Sequence, residues 1–81
     1  MRLILTNHAL KRMRMRGVTE DQIRTAIRYP DRVKQIPQEK RVRVSKDFGK
    51  KTLDVVYRPI KNACVIITVI WLGEKDRYYV N

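Results

Sequence analysis

Cysteine and histidine are scarce in this sequence, because Cys64 and His8 are each the only residue of their kind. A single cysteine excludes a disulfide within the chain, and its apolar surroundings indicate a small buried side chain rather than a reactive thiol. Without carboxylates or a second chain, these two residues cannot supply the ligands of a usual zinc site. We therefore expect neither a metal nor a cofactor.

Long hydrophobic runs are also missing. The apolar run Ala63–Leu72 is about half as long as a membrane-spanning helix needs to be. The first residues, Met1–Leu10, become polar too soon for a signal peptide. These features predict a cytoplasmic protein with no membrane partner, and the length of 81 residues predicts one domain, residues 1–81.

Acidic residues are few, since 8 Asp and Glu stand against 19 Lys and Arg and give a formal net charge of +11. A positive field of this size attracts polyanions and speeds encounter with them. Nucleic acid is therefore the favoured partner, an acidic protein the second choice and an anionic membrane the third. A basic protein without such a partner is the plain alternative, although its charge would oppose a compact fold. The oligomeric state stays open.

Local signals predict a short edge strand, Arg2–Leu5, and then a first helix. Thr6 is placed to cap this helix at its start, and Arg16 ends it. Gly17 follows at the position where helices favour a residue in the left-handed conformation. The helix therefore has a start signal and a stop signal in the sequence.

A second helix is predicted by the segment that begins at Val18. Thr19 and Gln22 have the spacing of a capping box, and Val18 can pack against Ile23 as a hydrophobic staple. Pro30 stops the helix. The second helix therefore has the stronger signals of the two.

After Pro30 the apolar residues alternate with a period of two, which predicts strands. The expected strands are Arg32–Ile36, Lys40–Asp47, Thr52–Arg58 and Ala63–Leu72. The last is apolar on both faces and is expected at the centre of the sheet. Arg41 and Arg43 are expected on a solvated face. The order β-α-α-β-β-β(β) predicts an α+β fold, with two N-terminal helices packed on one face of an antiparallel sheet.

The first helix, unlike the second, contains no acidic residue. At 100° per residue its buried stripe consists of Ala9, Leu10 and Met13. A neighbouring column consists of His8, Arg12 and Arg16, flanked by Lys11. Like-charged neighbours on a helix repel by a few tenths of a kcal/mol. The column is therefore unfavourable for the helix itself and indicates an anionic ligand.

His8 is a candidate for proton transfer, because histidine is the residue type that exchanges protons near neutral pH. Arg12, four residues on, is placed to stabilise a phosphate on which the imidazole acts. In the plainer interpretation His8 only bonds a backbone group or packs at the edge of the core. Spacing alone leaves both interpretations open.

The opening of the chain fits the string T-x-H-A-x-x-R-M-x-x-R-G-[VI]-[ST], at Thr6, His8, Ala9, Arg12, Met13, Arg16, Gly17, Val18 and Thr19. It resembles the opening of a widespread domain family of unknown function. The resemblance continues through "YPD" at Tyr29–Asp31, "TLDVVY" at Thr52–Tyr57 and "VIITVIW" at Val65–Trp71. The order of elements also resembles the RelE, ParE and BrnT toxins, within a group of metal-independent ribonuclease folds that includes barnase, EndoU and colicin nucleases.

The resemblance implies a RelE-like endoribonuclease that acts on RNA rather than DNA and is held inactive by an acidic antitoxin. It implies catalytic roles for His8 and Arg12 on the first helix and for Thr68 on the closing strand. The residues interpreted as substrate-binding are Lys11, Arg16, Arg41, Arg43 and Trp71.

A two-histidine mechanism is impossible within one chain. The second group is Tyr57, Tyr78, Lys40 or a carboxylate, or else the substrate is positioned by charge alone. A PD-(D/E)xK metal nuclease is rejected, because "QEK" lacks the intervening residue and the acids are scattered.

Two other functions remain open. The first is a non-catalytic RNA- or DNA-binding module, in which Arg41, Arg43 and Lys50–Lys51 extend the binding surface of the first helix. Such binding should weaken steeply with salt. The second is an adaptor whose basic face binds an acidic protein partner.

Overall fold

The computed structural model describes residues 1–73, which form five strands, two α-helices and one 3-10 turn. In chain order they are β1 (Arg2–Leu5), α1 (Asn7–Arg16), α2 (Glu20–Arg28), β2 (Arg32–Ile36), the turn Pro37–Glu39, β3 (Arg41–Phe48), β4 (Lys51–Ile60) and β5 (Ala63–Gly73). This order confirms the predicted α+β class.

Both helices begin at the predicted caps. The Thr6 hydroxyl accepts a hydrogen bond from the backbone N–H of Ala9 at 3.1 Å. Thr19 and Gln22 form the complete capping box, with the two bonds at 2.9 and 3.1 Å. Gly17 has a φ of 63°, the left-handed conformation that glycine adopts without steric cost. Short-range signals were therefore sufficient to place the helix ends.

The strands form one sheet in the order β1-β5-β4-β3-β2, with β1 at an edge as predicted. The sheet is mixed rather than antiparallel, because β1 runs parallel to β5 over the pairs from Arg2–Ala63 to Leu5–Ile66. β2 to β5 follow one another as antiparallel neighbours. The connection from β1 to β5 contains both helices and the other three strands. Two parallel neighbours need a long connection of this kind.

β5 is not the middle strand, which corrects the expectation that it lies at the centre of the sheet. β4 occupies that place, between β5 and β3. The second apolar face of β5 is not fully covered, since Ile70 remains 37% exposed. Although β5 has apolar residues on both faces, only one of these faces is fully covered.

α1 and α2 pack on one face of the sheet and enclose the core there. α1 lies against β5, whereas α2 lies against β3 and β4. The buried core side chains include Ala9, Ile23, Ala26, Val42, Val44, Leu53, Val55, Ile66 and Val69. Each fully buried aliphatic side chain contributes about 1.5–3 kcal/mol. We call the opposite side of the sheet, which neither helix covers, the open face.

Within residues 1–73 no helix combines the length and the apolarity that crossing a bilayer requires.

Candidate nucleic-acid interface

His8 and Arg12 are in contact on the exposed side of α1. The Nε of Arg12 donates to the Nε2 of His8 at 3.4 Å, a long hydrogen bond in contact with solvent. The structure thus brings together two of the three residues predicted to be catalytic, with an imidazole nitrogen beside a guanidinium.

Arg16, the third residue of the column, is half-buried and already has a partner. Its Nη1 donates to the backbone carbonyl of Val69 on β5 at 2.5 Å. The Thr6 hydroxyl donates to the carbonyl of Ile66 on the same strand at 2.9 Å. Both ends of α1 are therefore bound to β5, and Arg16 has a structural role in addition to any contact with a ligand.

The outward side of α1 offers further cations and no acid. A shallow groove on this side is lined by Asn7, Leu10, Lys11, Arg14 and Met15. Lys11 and Arg14 are exposed, and Met15 is 64% exposed. The helix has no acidic residue in its ten positions. A ligand that lies along α1 therefore meets positive charge and methylene groups without an opposing carboxylate.

Thr68 lies on the other side of the sheet. It pairs with Val56, and its neighbours along the two strands, Val55 and Val69, point into the core. Because side chains alternate across a sheet, Thr68 points to the open face. The structure therefore does not bring Thr68 together with His8 and Arg12.

Trp71 is part of the border of the core. Its ring packs edge-to-face against Phe48 with the ring centroids 5.8 Å apart and the planes at 84°. It pairs with buried Leu53 and lies on the side of the sheet that the helices cover. Packing accounts for Trp71, and a contact with substrate stays a prediction.

Arg41 and Arg43 belong to the open face, and Arg43 has a partner that the sequence analysis missed. Asp54, only 3% exposed, accepts at Oδ2 from the Nε of Arg43 at 2.7 Å and also from its Nη2. Its Oδ1 accepts from the Ser45 hydroxyl at 2.6 Å. A buried carboxylate needs such partners to remain charged. The available signal was an acid inside the apolar strand "TLDVVY".

Within residues 1–73 no tyrosine, lysine or carboxylate is hydrogen-bonded to His8. Burial raises the pKa of Tyr57, and the charge of Cys64 raises it further, so this phenol is a weak proton donor. Burial likewise raises the pKa of the Cys64 thiol. Lys40 ends the 3-10 turn as an exposed residue. Tyr78 lies outside the described residues, and residues 1–73 contain no cluster of side chains suited to a metal ion.

The fold and this helix define a small α+β domain with an acid-free basic helix on one face of a mixed sheet. Residues 5–71 match the model of a domain family of unknown function, DUF4258, and the chain belongs to that family. No curated protein and no solved structure gives a significant match.

Proposed function

We propose that this protein binds RNA through α1 and cleaves it without a metal ion, as a toxin-like endoribonuclease of the RelE type. The contact between His8 and Arg12 on an exposed, acid-free helix carries the proposal. A nearby base and a nearby cation are what cleavage by the 2′-hydroxyl needs. The net charge of +11 supports RNA as the ligand.

The chemistry begins with the phosphate. A phosphate attracts the Arg12 guanidinium more strongly than an imidazole nitrogen does, because the hydrogen bond is charge-assisted. Arg12 then turns to the phosphate and leaves Nε2 of His8 free to take the proton of the 2′-hydroxyl. The 2′-oxygen forms a bond to phosphorus while the bond to the 5′-oxygen breaks. The leaving oxygen takes a proton from water, and a 2′,3′-cyclic phosphate remains.

A non-catalytic RNA-binding module is the second candidate, and one observation favours it. Within residues 1–73 the only side chain hydrogen-bonded to His8 is Arg12, and Thr68 points to the opposite face. No described acid stands ready for the leaving oxygen. The same cations also suit an acidic protein partner, such as an antitoxin, which would compete with RNA for α1.

The test is incubation of a labelled RNA with the parent protein and with His8→Ala in the presence of EDTA. We expect the parent to cleave and His8→Ala to be at least about a hundredfold slower, because it lacks the base. Retention of RNA by His8→Ala in a filter-binding measurement should be close to that of the parent. The matched control is Arg28→Gln, which removes an exposed cation from the last turn of α2.

The possible results separate the two candidates. Retention of RNA without cleavage by the parent selects the binding module. Equal cleavage by the parent and His8→Ala removes His8 from the mechanism. A parent protein that neither retains nor cleaves RNA contradicts the proposal as a whole.

A further inference from the structure

The open face of the sheet carries a second group of cations that the proposed function does not use. Lys34 on β2 pairs directly with Arg43 on β3, and Arg41 lies two residues before Arg43 on the same side. Arg58 is two residues after Val56, which pairs with Arg43. Side-chain alternation puts all four on the open face. We call them the open-face cluster: Lys34, Arg41, Arg43 and Arg58.

The open-face cluster is unfavourable for the sheet itself. Like charges directly opposite each other on neighbouring strands are destabilising, and Lys34 faces Arg43 in this way. Among the described residues, Asp54 is the acid that pairs with the cluster, and it pairs with Arg43 alone. Lys34, Arg41 and Arg58 form no ion pair within residues 1–73. As far as residues 1–73 are concerned, three of the four charges are therefore available to an anionic ligand.

Asp54 holds Arg43 in a defined orientation. Two donors of the guanidinium, Nε and Nη2, bind one carboxylate oxygen, while Ser45 binds the other. The guanidinium plane is thereby fixed before a ligand arrives, and no hydrogen bond from another described residue occupies Nη1. The Arg43 side chain is 36% exposed, so a ligand can reach it from solvent. Preorganised arginine of this kind suits phosphate oxygens.

We propose that the open-face cluster is a second binding site for the phosphodiester backbone of RNA, with Asp54 as the residue that positions Arg43. Arg41 and Arg43 are separated by about 7 Å along the strand, a spacing suited to successive phosphates of an extended chain. Of the aromatic side chains within residues 1–73, Phe48, Tyr57 and Trp71 pack on the helix side, and Tyr29 lies at the end of α2. The site therefore contacts phosphates rather than stacked bases.

The site is separate from α1, because the sheet lies between the two. Only the choice of RNA as ligand depends on the proposed function. With cations on both sides of the sheet, one protein molecule holds two segments of RNA at the same time.

The first test measures stoichiometry with an oligouridylate of about six nucleotides, within the usual site size for single strands. We expect the parent to bind two oligonucleotides at low salt. The double variant Lys34→Gln/Arg41→Gln should bind one, as should Lys11→Gln/Arg12→Gln on α1. With a longer RNA the open-face variant should bind about tenfold more weakly, and its salt slope should fall by about 1.4, or about 0.7 for each lost phosphate contact.

Each outcome decides between the two sites. Two oligonucleotides on Lys34→Gln/Arg41→Gln would overturn the second site. A parent that binds one oligonucleotide, lost in the α1 variant alone, would overturn it too. If the α1 variant binds like the parent and the open-face variant does not, the proposed role of α1 fails while the second site stands.

The second test removes the charge of Asp54 and measures whether RNA binding becomes tighter or weaker. Asp54→Asn removes one negative charge and takes the formal net charge from +11 to +12. Net charge alone predicts tighter RNA binding, whereas the positioning role predicts binding several-fold weaker. The matched control, Asp21→Asn, makes the same change at an exposed position in the first turn of α2 and should bind slightly more tightly. Tighter binding by Asp54→Asn would overturn the positioning role.

Arg43→Lys covers the case in which Asp54→Asn does not fold, as judged by circular dichroism. This variant keeps the net charge but loses the planar fork that the carboxylate holds. We expect RNA binding several-fold weaker than that of the parent. Binding equal to that of the parent would show that charge alone acts at this position.

Discussion

α1 and α2 are nearly equal in length, with 10 and 9 residues, yet they are built on different principles. α2 has a complete capping box, two acids in its first turn and an ion pair between Glu20 and Arg24. It buries Ile23 and Ala26 completely. α1 has one side-chain cap bond at its start, from Thr6, a backbone bond from Gly17 to Met13 at its end, and no acid anywhere. The start of α2 therefore has stabilising features that the start of α1 lacks, whereas α1 has a left-handed glycine, Gly17, at its end.

The difference shows which helix is explained by folding alone. Acids near a helix start and cations near its end are each worth about 0.3–1 kcal/mol. α2 uses both, while α1 uses only the cations and places others where they repel one another. The composition of α1 is therefore not explained by helix stability. The proposed contact with RNA would explain it.

The largest effect that separates the two helices should come from their buried side chains. Ile23→Ala should lower the free energy of unfolding by about 3–4 kcal/mol, because a fully buried aliphatic side chain leaves a cavity. Met13→Ala in α1 should cost only about 1–2 kcal/mol, since Met13 is partly buried. Urea denaturation measures both. Equal losses would show that the helices share the core equally.

Removal of the two cap residues should give a smaller difference in stability. Here the variant in α1 should lose more than the variant in α2. Thr19→Ala removes one side of the capping box and should cost about 1 kcal/mol. Thr6→Ala removes a cap bond and also the bond to Ile66 on β5, so we expect about 2 kcal/mol. Thermal unfolding of the two variants measures the order. A larger loss in Thr19→Ala would mean that the tie between α1 and β5 contributes little.

The smallest effect tests the difference between α1 and α2 most directly. Asn7→Asp places an acid in the first turn of α1, as α2 already has, and should stabilise the protein by about 0.3–1 kcal/mol. It should also weaken RNA binding, because the new carboxylate repels phosphates along α1. Thermal unfolding and a binding titration measure the two changes. Tighter RNA binding together with higher stability would contradict the proposed role of α1.

The helix ends could be predicted because their signals lie within a few residues of one another. Thr19 and Gln22 are three positions apart, and Gly17 follows its helix directly. The direction of β1 could not be predicted in this way, because Arg2 pairs with Ala63, 61 positions later in the chain. An apolar strand carries the same pattern whichever way its neighbour runs.

The part of the candidate site that lies within one helix could also be predicted, whereas the part that depends on strand register could not. His8 and Arg12 are four positions apart on one helix, so helical geometry alone brings them together. The side on which Thr68 lies depends on an irregularity between Val56 and Tyr57, where the register with β5 shifts by one residue. A bulge of this kind reverses the alternation and leaves no clear mark in an apolar sequence. The pairing of Arg43 with Asp54 likewise depends on the register of β3 and β4.

The docking of α1 on β5 also orders events during synthesis. α1 precedes β5 in the chain and therefore leaves the ribosome before Ile66 and Val69, whose carbonyls bind its two ends. A helix of ten residues is marginal by itself and relies on packing for its stability. Until β5 has emerged, α1 lacks the strand on which it mainly packs. The surface of α1 that we propose to bind RNA is therefore completed only when β5 is in place.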